Sequence, residues 1–169
     1  MSNDELFPLV DANGNVVGKA TRKECHSGSK LLHPVVHLHL IREGGWLYLQ
    51  KRSMNKDIQP GRWDTAVGGH VDFGEETTCA LFREAREELG LENFKPEKIT
   101  PYVFESDVER ELINPFIVYV KDEMHITPDP EEISEGRFWH MDEIESGLGK
   151  GLFTPNFELE YQLIKKYIK

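Results

Sequence analysis

The sequence predicts an α/β domain: a mixed sheet with helices on both faces. Three observations lead there. Residues 35–41 alternate, with His37 and His39 on one side and Val36, Leu38 and Leu40 on the other, the period of a strand. Residues 76–89 carry helical periodicity and stop at Gly90. Strand-like and helix-like segments then mix without strict βαβ alternation, and a two-sided layered packing buries such a set. The 169 residues suit one domain spanning the whole chain, 1–169.

The elements follow in order. Residues 6–10 and 16–20 read as a hairpin around Asn13-Gly14, a turn pair whose backbone suits a tight reversal. Residues 21–26 read as a helical turn broken by Ser27-Gly28-Ser29. The 35–41 strand turns at Glu43-Gly44-Gly45 and pairs back through 46–51. Pro60-Gly61 turns the chain again, 63–67 is extended, Gly68-Gly69 marks tight backbone, and 70–73 reads as a short strand. After the 76–89 helix, 99–105, 115–121 and 137–140 read as strands and 141–146 as a helical turn. Residues 157–167 close as an amphipathic helix with Leu159, Leu163, Ile164 and Tyr167 expected inward.

Composition narrows the function. An apolar fraction of 38% with 30% charged residues is an ordinary globular balance. A net charge of −10 argues against nucleic acid, whose phosphate backbone wants a basic surface. A small phosphorylated ligand remains compatible, since cations and a few local basic groups suffice to hold it. Two cysteines, Cys25 and Cys79, do not make a disulfide framework. The acidic start, Met1 to Glu5, carries no signal-peptide pattern, and no apolar run reaches the roughly 18 residues of a membrane span. A cytoplasmic monomer or homodimer is the expectation.

The 76–89 helix carries the chemistry. Leu81, Ala85 and Leu89 form an apolar stripe with Phe82 beside it, and Glu84, Glu87 and Glu88 flank it. Like charges three and four residues apart cost about 0.2–0.5 kcal/mol per pair in an isolated helix. Such clusters are commonly solvated faces. A divalent cation would reverse the penalty, and hard carboxylate oxygens suit Mg²⁺ or Mn²⁺.

The surroundings sharpen this reading. Gly69, Glu75, Arg83, Glu84, Glu87, Glu88 and Gly90 stand at the fixed positions of the Nudix box: glycine, five residues, glutamate, seven residues, then Arg-Glu-apolar-any-Glu-Glu-any-Gly-apolar. Ala85 is smaller than the aliphatic typical there. The resemblance implies the Nudix α/β/α sandwich with a mixed central sheet. It implies Mg²⁺ held by Glu84, Glu87 and Glu88, alone or with the Gly69 carbonyl. Arg83 would hold a glutamate in place, with Glu75 and Glu87 as partners to choose between. The general base stays open: Glu87 first, then Glu131 or Glu132.

A second constellation lies outside the box. The Asn-Gly turn, the run from Gly18 to His26 and Leu32-His33 resemble the isopentenyl-diphosphate isomerase branch of the Nudix superfamily. That branch builds a divalent-metal site from three histidines and two glutamates. The pattern maps onto His26, His33, His70, Glu109 and Glu111, implying a possible second divalent metal. Alternation puts Glu109 and Glu111 on one strand face, and imidazole with carboxylate suits Mn²⁺, Fe²⁺ or Zn²⁺. His37, His39, His125 and His140 read as structural. The isomerases use a cysteine two residues before the third histidine, and Gly68 stands there.

The expectation is therefore a Mg²⁺-dependent hydrolase cleaving a diphosphate bond in a small nucleoside diphosphate-linked or related molecule. Isomerisation of an allylic diphosphate and non-catalytic nucleotide binding are the alternatives. Residues 51–63 and 105–115 are expected to line the ligand site, and Trp46, Trp63, Phe73, Phe116 or Phe153 could stack on a base.

Overall fold

A computed structural model describes residues 3–56 and 58–169. Met1 and Ser2, in the acidic start, and Asp57, in the 51–63 stretch, lie outside the described residues.

The chain opens with the expected hairpin, β1 (Leu6–Val10) against β2 (Val16–Thr21), a separate two-stranded sheet. Its turn closes because Asp11 Oδ1 accepts from the Asn13 and Asn15 amides at 2.9 and 3.0 Å, while Gly14 takes φ +86°. Thr21 and Glu24 then form a reciprocal capping box that starts the one-turn helix α1 (Arg22–Cys25).

Among the described residues the main sheet has eight strands: β3 (Leu32–Arg42), β4 (Trp46–Arg52), β5 (Trp63–Thr65), β6 (Val67–His70), β7 (Glu97–Lys98), β8 (Tyr102–Glu105), β9 (Arg110–Tyr119) and β10 (Ile133–His140). The spine runs β10-β4-β3-β9-β7, with β5 on β4, β6 on β3 and β8 on β9. Strands β3 and β9 run parallel through ten register pairs, Leu32 with Arg110 to Ile41 with Tyr119. The other ladders are antiparallel, so the sheet is mixed.

Strand β3 sorts the two faces by its period of two. Val36, Leu38 and Leu40 pack with Ala80, Leu81, Ala85 and Leu89 of α2 (Thr77–Leu89). Ile41 of the opposite face packs with Ile144 of α3 (Met141–Gly147) and with Phe157, Tyr161 and Ile164 of α4 (Pro155–Ile164). These two cores join the sheet to the outer helical layers of an α/β/α sandwich, α2 on one side and α3 with α4 on the other.

Several boundaries differ from the sequence expectation. The strand placed at 70–73 ends at His70, and Gly68-Gly69 lies within it. Beyond His70, the Glu75 carboxylate accepts from the Asp72 amide and the Glu75 amide donates to the Asp72 carbonyl, both at 3.0 Å, closing a turn. The 99–105 strand starts only at Tyr102, after Pro101. Strand β9 begins five residues before 115, because buried Asn114 satisfies itself on the Val35 and Leu112 carbonyls at 3.0 and 3.2 Å. Strand β10 starts at Ile133 rather than 137.

The closing helix is rotated relative to expectation. Helix α4 starts at Pro155, ends at Ile164 and passes into a 3₁₀ turn, Lys165–Tyr167. Its inward face is Phe157, Glu160, Tyr161 and Ile164, whereas Leu159 and Leu163 are 48% and 44% exposed. Tyr167 is half-buried beside the α4 core. A reading guided by hydrophobicity turns Glu160 outward; the fold buries it because polar partners wait on β3. Ile164→Ala should therefore cost about 2–5 kcal/mol of folding free energy. Leu163→Ala should stay within about 0.5 kcal/mol. Urea unfolding of the two variants checks the assignment, and similar losses would contradict it.

Candidate active site

Two groups of polar side chains sit back to back on strand β6. Val67 packs in the α2 core and Gly69 faces Glu84, while Gly68 faces His37 on the α4 side. His70 joins the histidines on that second side. Because the glycine pair adds no side chain, His37 approaches the strand on one face and Glu84 on the other. A Cβ at position 69 would stand 2.2 Å from the Glu84 Cδ, so the Glu84 carboxylate rests directly on the backbone there.

On the α2 side, Arg83 is the organiser. Its Nε and Nη2 donate to the two oxygens of Glu75, each at 2.9 Å. Nη1 donates to Glu84 Oε1 at 2.8 Å, and Nη2 also reaches the His70 carbonyl at 3.1 Å. Glu75 is thus the two-pronged partner. Glu87 stands 3.6 Å from Nη1 and is 56% exposed. The Arg83 guanidinium holds Glu75 below the usual carboxylate range. Glu88 is oriented by Gln50 Nε2 at 3.2 Å and the Gly68 amide at 3.3 Å. Burial first, then the neighbouring Glu84 charge, pushes the Glu88 carboxyl well up; burial likewise raises Glu84. Two carboxylates thus press together at the strand while the third faces solvent, an arrangement that a divalent cation relieves.

On the other side, His26, His33, His70 and Glu109 bring one ligand atom each within 4.8 Å of one another. His26 Nε2 lies 3.2 Å from His70 Nε2 and 3.1 Å from Glu109 Oε2. Glu111 stands slightly back, its Oε2 3.9 Å from both His33 Nε2 and His70 Nε2. The elements explain this convergence. Helix α1 delivers His26, and the Gly28 amide donates to the Val108 carbonyl at 3.0 Å, tying that loop to the Glu109 turn. Ser106 Oγ accepts from the Val108 and Glu109 amides at 3.3 and 3.2 Å and shapes the turn itself. Phe7 of the opening hairpin, fully buried, stacks on His70 at 4.5 Å and on His33 at 5.8 Å between ring centres.

The protonation states suit a cation. His33 Nδ1 donates to the Leu31 carbonyl at 2.9 Å, which leaves Nε2 as a lone pair, buried and without a hydrogen-bond partner. Burial holds the His26 imidazole down to about 4 and depresses His33 and His70, so all three are neutral. Burial and then Glu109 push Glu111 up to about 8.

Sequence reasoning missed two participants, Gln50 and Glu160. Gln50, which orients Glu88, carried no motif. Glu160 contacts His37, His39 and Tyr102; its signal was a glutamate at an inward helical position. Of the aromatic residues considered for stacking, Trp63, Phe116 and Phe153 are core residues, 6%, 3% and 1% exposed, and do not face a ligand. Trp46 packs edge-on against His140, and Phe73 is exposed beside Lys19. No helix among the described residues is long and apolar enough to cross a membrane.

Comparison with known proteins matches residues 31–157 to the NUDIX domain. The chain is 29% identical over 165 residues to isopentenyl-diphosphate Delta-isomerase 1 of Photorhabdus laumondii, covering 93% of each chain. It is 30% identical over 156 residues to an uncharacterised Nudix hydrolase of Streptomyces coelicolor, covering 92% of this chain and 85% of that one. Among solved structures, DR0079 of Deinococcus radiodurans superposes with a TM-score of 0.80 at 23% identity, over 94% of this chain and 98% of the other. The domain match, the relatives and the sandwich geometry agree: this chain belongs to the Nudix family, in its isopentenyl-diphosphate isomerase-like branch.

Proposed function

We propose that the protein is a divalent-metal-dependent hydrolase that cleaves a diphosphate bond in a small nucleoside diphosphate-linked or related molecule. The observation that carries this reading is the pairing of Glu84 and Glu88 against strand β6, each held by a dedicated donor, Arg83 for one and Gln50 for the other. Glu84 and Glu88, with Glu87 and the Gly69 carbonyl beside them, are the residues that would hold Mg²⁺ or Mn²⁺. A cation there supplies positive charge to diphosphate oxygens and lowers the pKa of water. His26, His33, His70 and Glu109, with Glu111 behind them, would hold a second divalent ion.

The chain's own groups do the rest. Arg83 fixes the Glu84 carboxylate so that no reorganisation is needed when charge develops on the substrate. Arg52, paired with Asp64 at 3.4 Å, and Lys56, paired with Glu132, bring two cations within the 51–63 stretch. Burial raises the carboxyls of both Glu109 and Glu88; Arg22 and then Arg52 work against that rise at Glu109, while Glu132 adds to it at Glu88. Glu87, 56% exposed where Glu84 is 15% exposed, is the helix glutamate open to solvent and the first candidate to take a proton from water. Glu132 is the second candidate for that role and Glu131 the third. The isomerase reading rests on the relatives' names. It lacks a proton-transferring thiol, because Gly68 occupies the cysteine's position and both cysteines of the chain lie elsewhere.

Glu88→Gln should lower phosphate or pyrophosphate release from a nucleotide panel with Mg²⁺ by at least about 100-fold. Equal turnover by variant and wild type would refute the assignment, as would conversion of isopentenyl diphosphate by the wild type.

His33→Ala should abolish Mn²⁺ binding at the histidine side in calorimetry while leaving a weaker carboxylate site. Unchanged stoichiometry would remove the second metal.

Stability without metal should depend on pH in a defined sense. Glu111 sits at about 8 when folded against an ordinary 4.5, and His37 at about 9 against 6.5. Across those ranges the folded chain holds protons that the unfolded chain releases, so stability falls as pH rises. His26, at about 4, works the other way, but only below about its ordinary 6.5. The melting temperature of the metal-free protein should therefore fall from pH 6.5 to 8. Added Mn²⁺ competes with protons for the same atoms and should raise it more at pH 8 than at 6.5. A metal-free protein that grows more stable over that window would contradict this electrostatic picture.

A further inference from the structure

The α4 side of the sheet holds a second polar network that neither group of metal-ligand candidates uses. Glu160 of α4 is fully buried, yet it is satisfied on all sides. His37 Nδ1 lies 2.9 and 3.1 Å from its two oxygens, and His39 Nε2 and the Tyr102 hydroxyl also bond to it. Asn156 Nδ2 donates to the Tyr102 hydroxyl at 3.1 Å. A buried network of this kind could simply fasten α4 to the sheet. The two histidines, however, are not equivalent. The His39 ring is fully buried, and its Nδ1 has no hydrogen-bond partner and no access to solvent. The His37 side chain keeps 12% of its surface exposed, and its Nε2 neither bonds to the described residues nor is shut away.

Location gives that free nitrogen its meaning. His37 pairs with Gly68 across β3 and β6, and its Cδ2 lies 3.5 Å from where a Gly68 Cβ would be. Gly68 is exposed, and its amide is the donor that reaches Glu88 through the strand. The Cδ2 and Nε2 edge of the ring therefore covers Gly68 on the α4 face of the strand, the face that also carries the histidine group. Burial works against the charged form of His37, but the anionic Glu160 from α4, then Asp64 from β5 and Glu111 from β9, outweigh it and push the imidazolium up to about 9. At neutral pH the ring is a cation with one N–H committed to Glu160 and the other free.

We propose that Glu160 aims His37 so that Nε2 donates a hydrogen bond to a diphosphate oxygen of the substrate where it passes Gly68. The assignment rests on the diphosphate-hydrolase reading and adds to it a substrate-binding residue, with Glu160 as its positioning residue. The carboxylate fixes the ring as carboxylates fix histidines in other sites, through Nδ1. The charged donor then gains strength from a surrounding poor in water.

The test uses methylenediphosphonate, a non-hydrolysable diphosphate, with Mg²⁺ and the full chain. Calorimetry compares wild type, His37→Gln and His39→Gln, each checked for cooperative thermal unfolding. His37→Gln should weaken binding at least about tenfold, as loss of a charged donor implies, while His39→Gln leaves it within about twofold. Equal weakening in both variants would make the network a structural fastener and overturn the proposal, as would no change in either or no binding by wild type. A second measurement needs no variant to fold. In wild type labelled with ¹⁵N-histidine, the Nε2–H signal of His37 should move downfield and become protected on ligand addition; an unmoved signal under saturation overturns the assignment. The hydrolase reading is judged separately, by phosphate release in Glu88→Gln against wild type, so either can fail alone.

Discussion

One guanidinium fork organises the neighbourhood of this site. Arg83 sits on α2, grips both oxygens of Glu75 in the loop before the helix, restrains Glu84 one residue on, and reaches the backbone of His70 on β6. Five donors in a fixed plane make this possible; a lysine ammonium could not satisfy three partners with that directionality. The contacts pull loop, helix and strand together at one point. Because His70 belongs to the histidine group, the same fork links the acidic side of the strand to its imidazole side.

The sheet supplies the second constraint. Alternation along β3 and β6 divides the interior into an α2 face and an α4 face, so neighbouring residues serve different chemistry. Gly69 yields space to a carboxylate and His70, next in sequence, turns to the opposite layer. Along β3 the α4 face changes character from His33, through His37 and His39, to the apolar Ile41. Polar chemistry fades into core within a single strand, and Glu160 marks the boundary.

Much of this was legible in the sequence because it is local. The helix, its stop at Gly90, the hairpin turn and the spacing of the box all lie within short windows whose periodicity or turn chemistry carries the signal. The five residues outside the box were found through resemblance, and the fold explains why spacing alone was insufficient: His26, His33, His70 and Glu109 come from four separate segments. Legibility failed where a polar residue is inward. Asn114 hid the first half of β9, and Glu160 misdirected the choice of face on α4, because burial of each depends on partners distant in sequence. The pairing of His37 and His39 with that glutamate was hidden for the same reason. Their strand face was correct, but the carboxylate between them is more than a hundred residues away in the chain.

The Phe7 ring lies flat against two of the imidazoles, and it comes from a hairpin that stands outside the span shared with the NUDIX domain, residues 31–157. His26 precedes that span and Glu160 follows it. A fragment trimmed to the matched region would keep the acidic helix whole, yet it would forfeit an imidazole, the aromatic floor beneath the other two, and the anion behind His37. The side chains gathered around the candidate site are thus drawn from a longer stretch of chain than the family match covers, on both of its flanks.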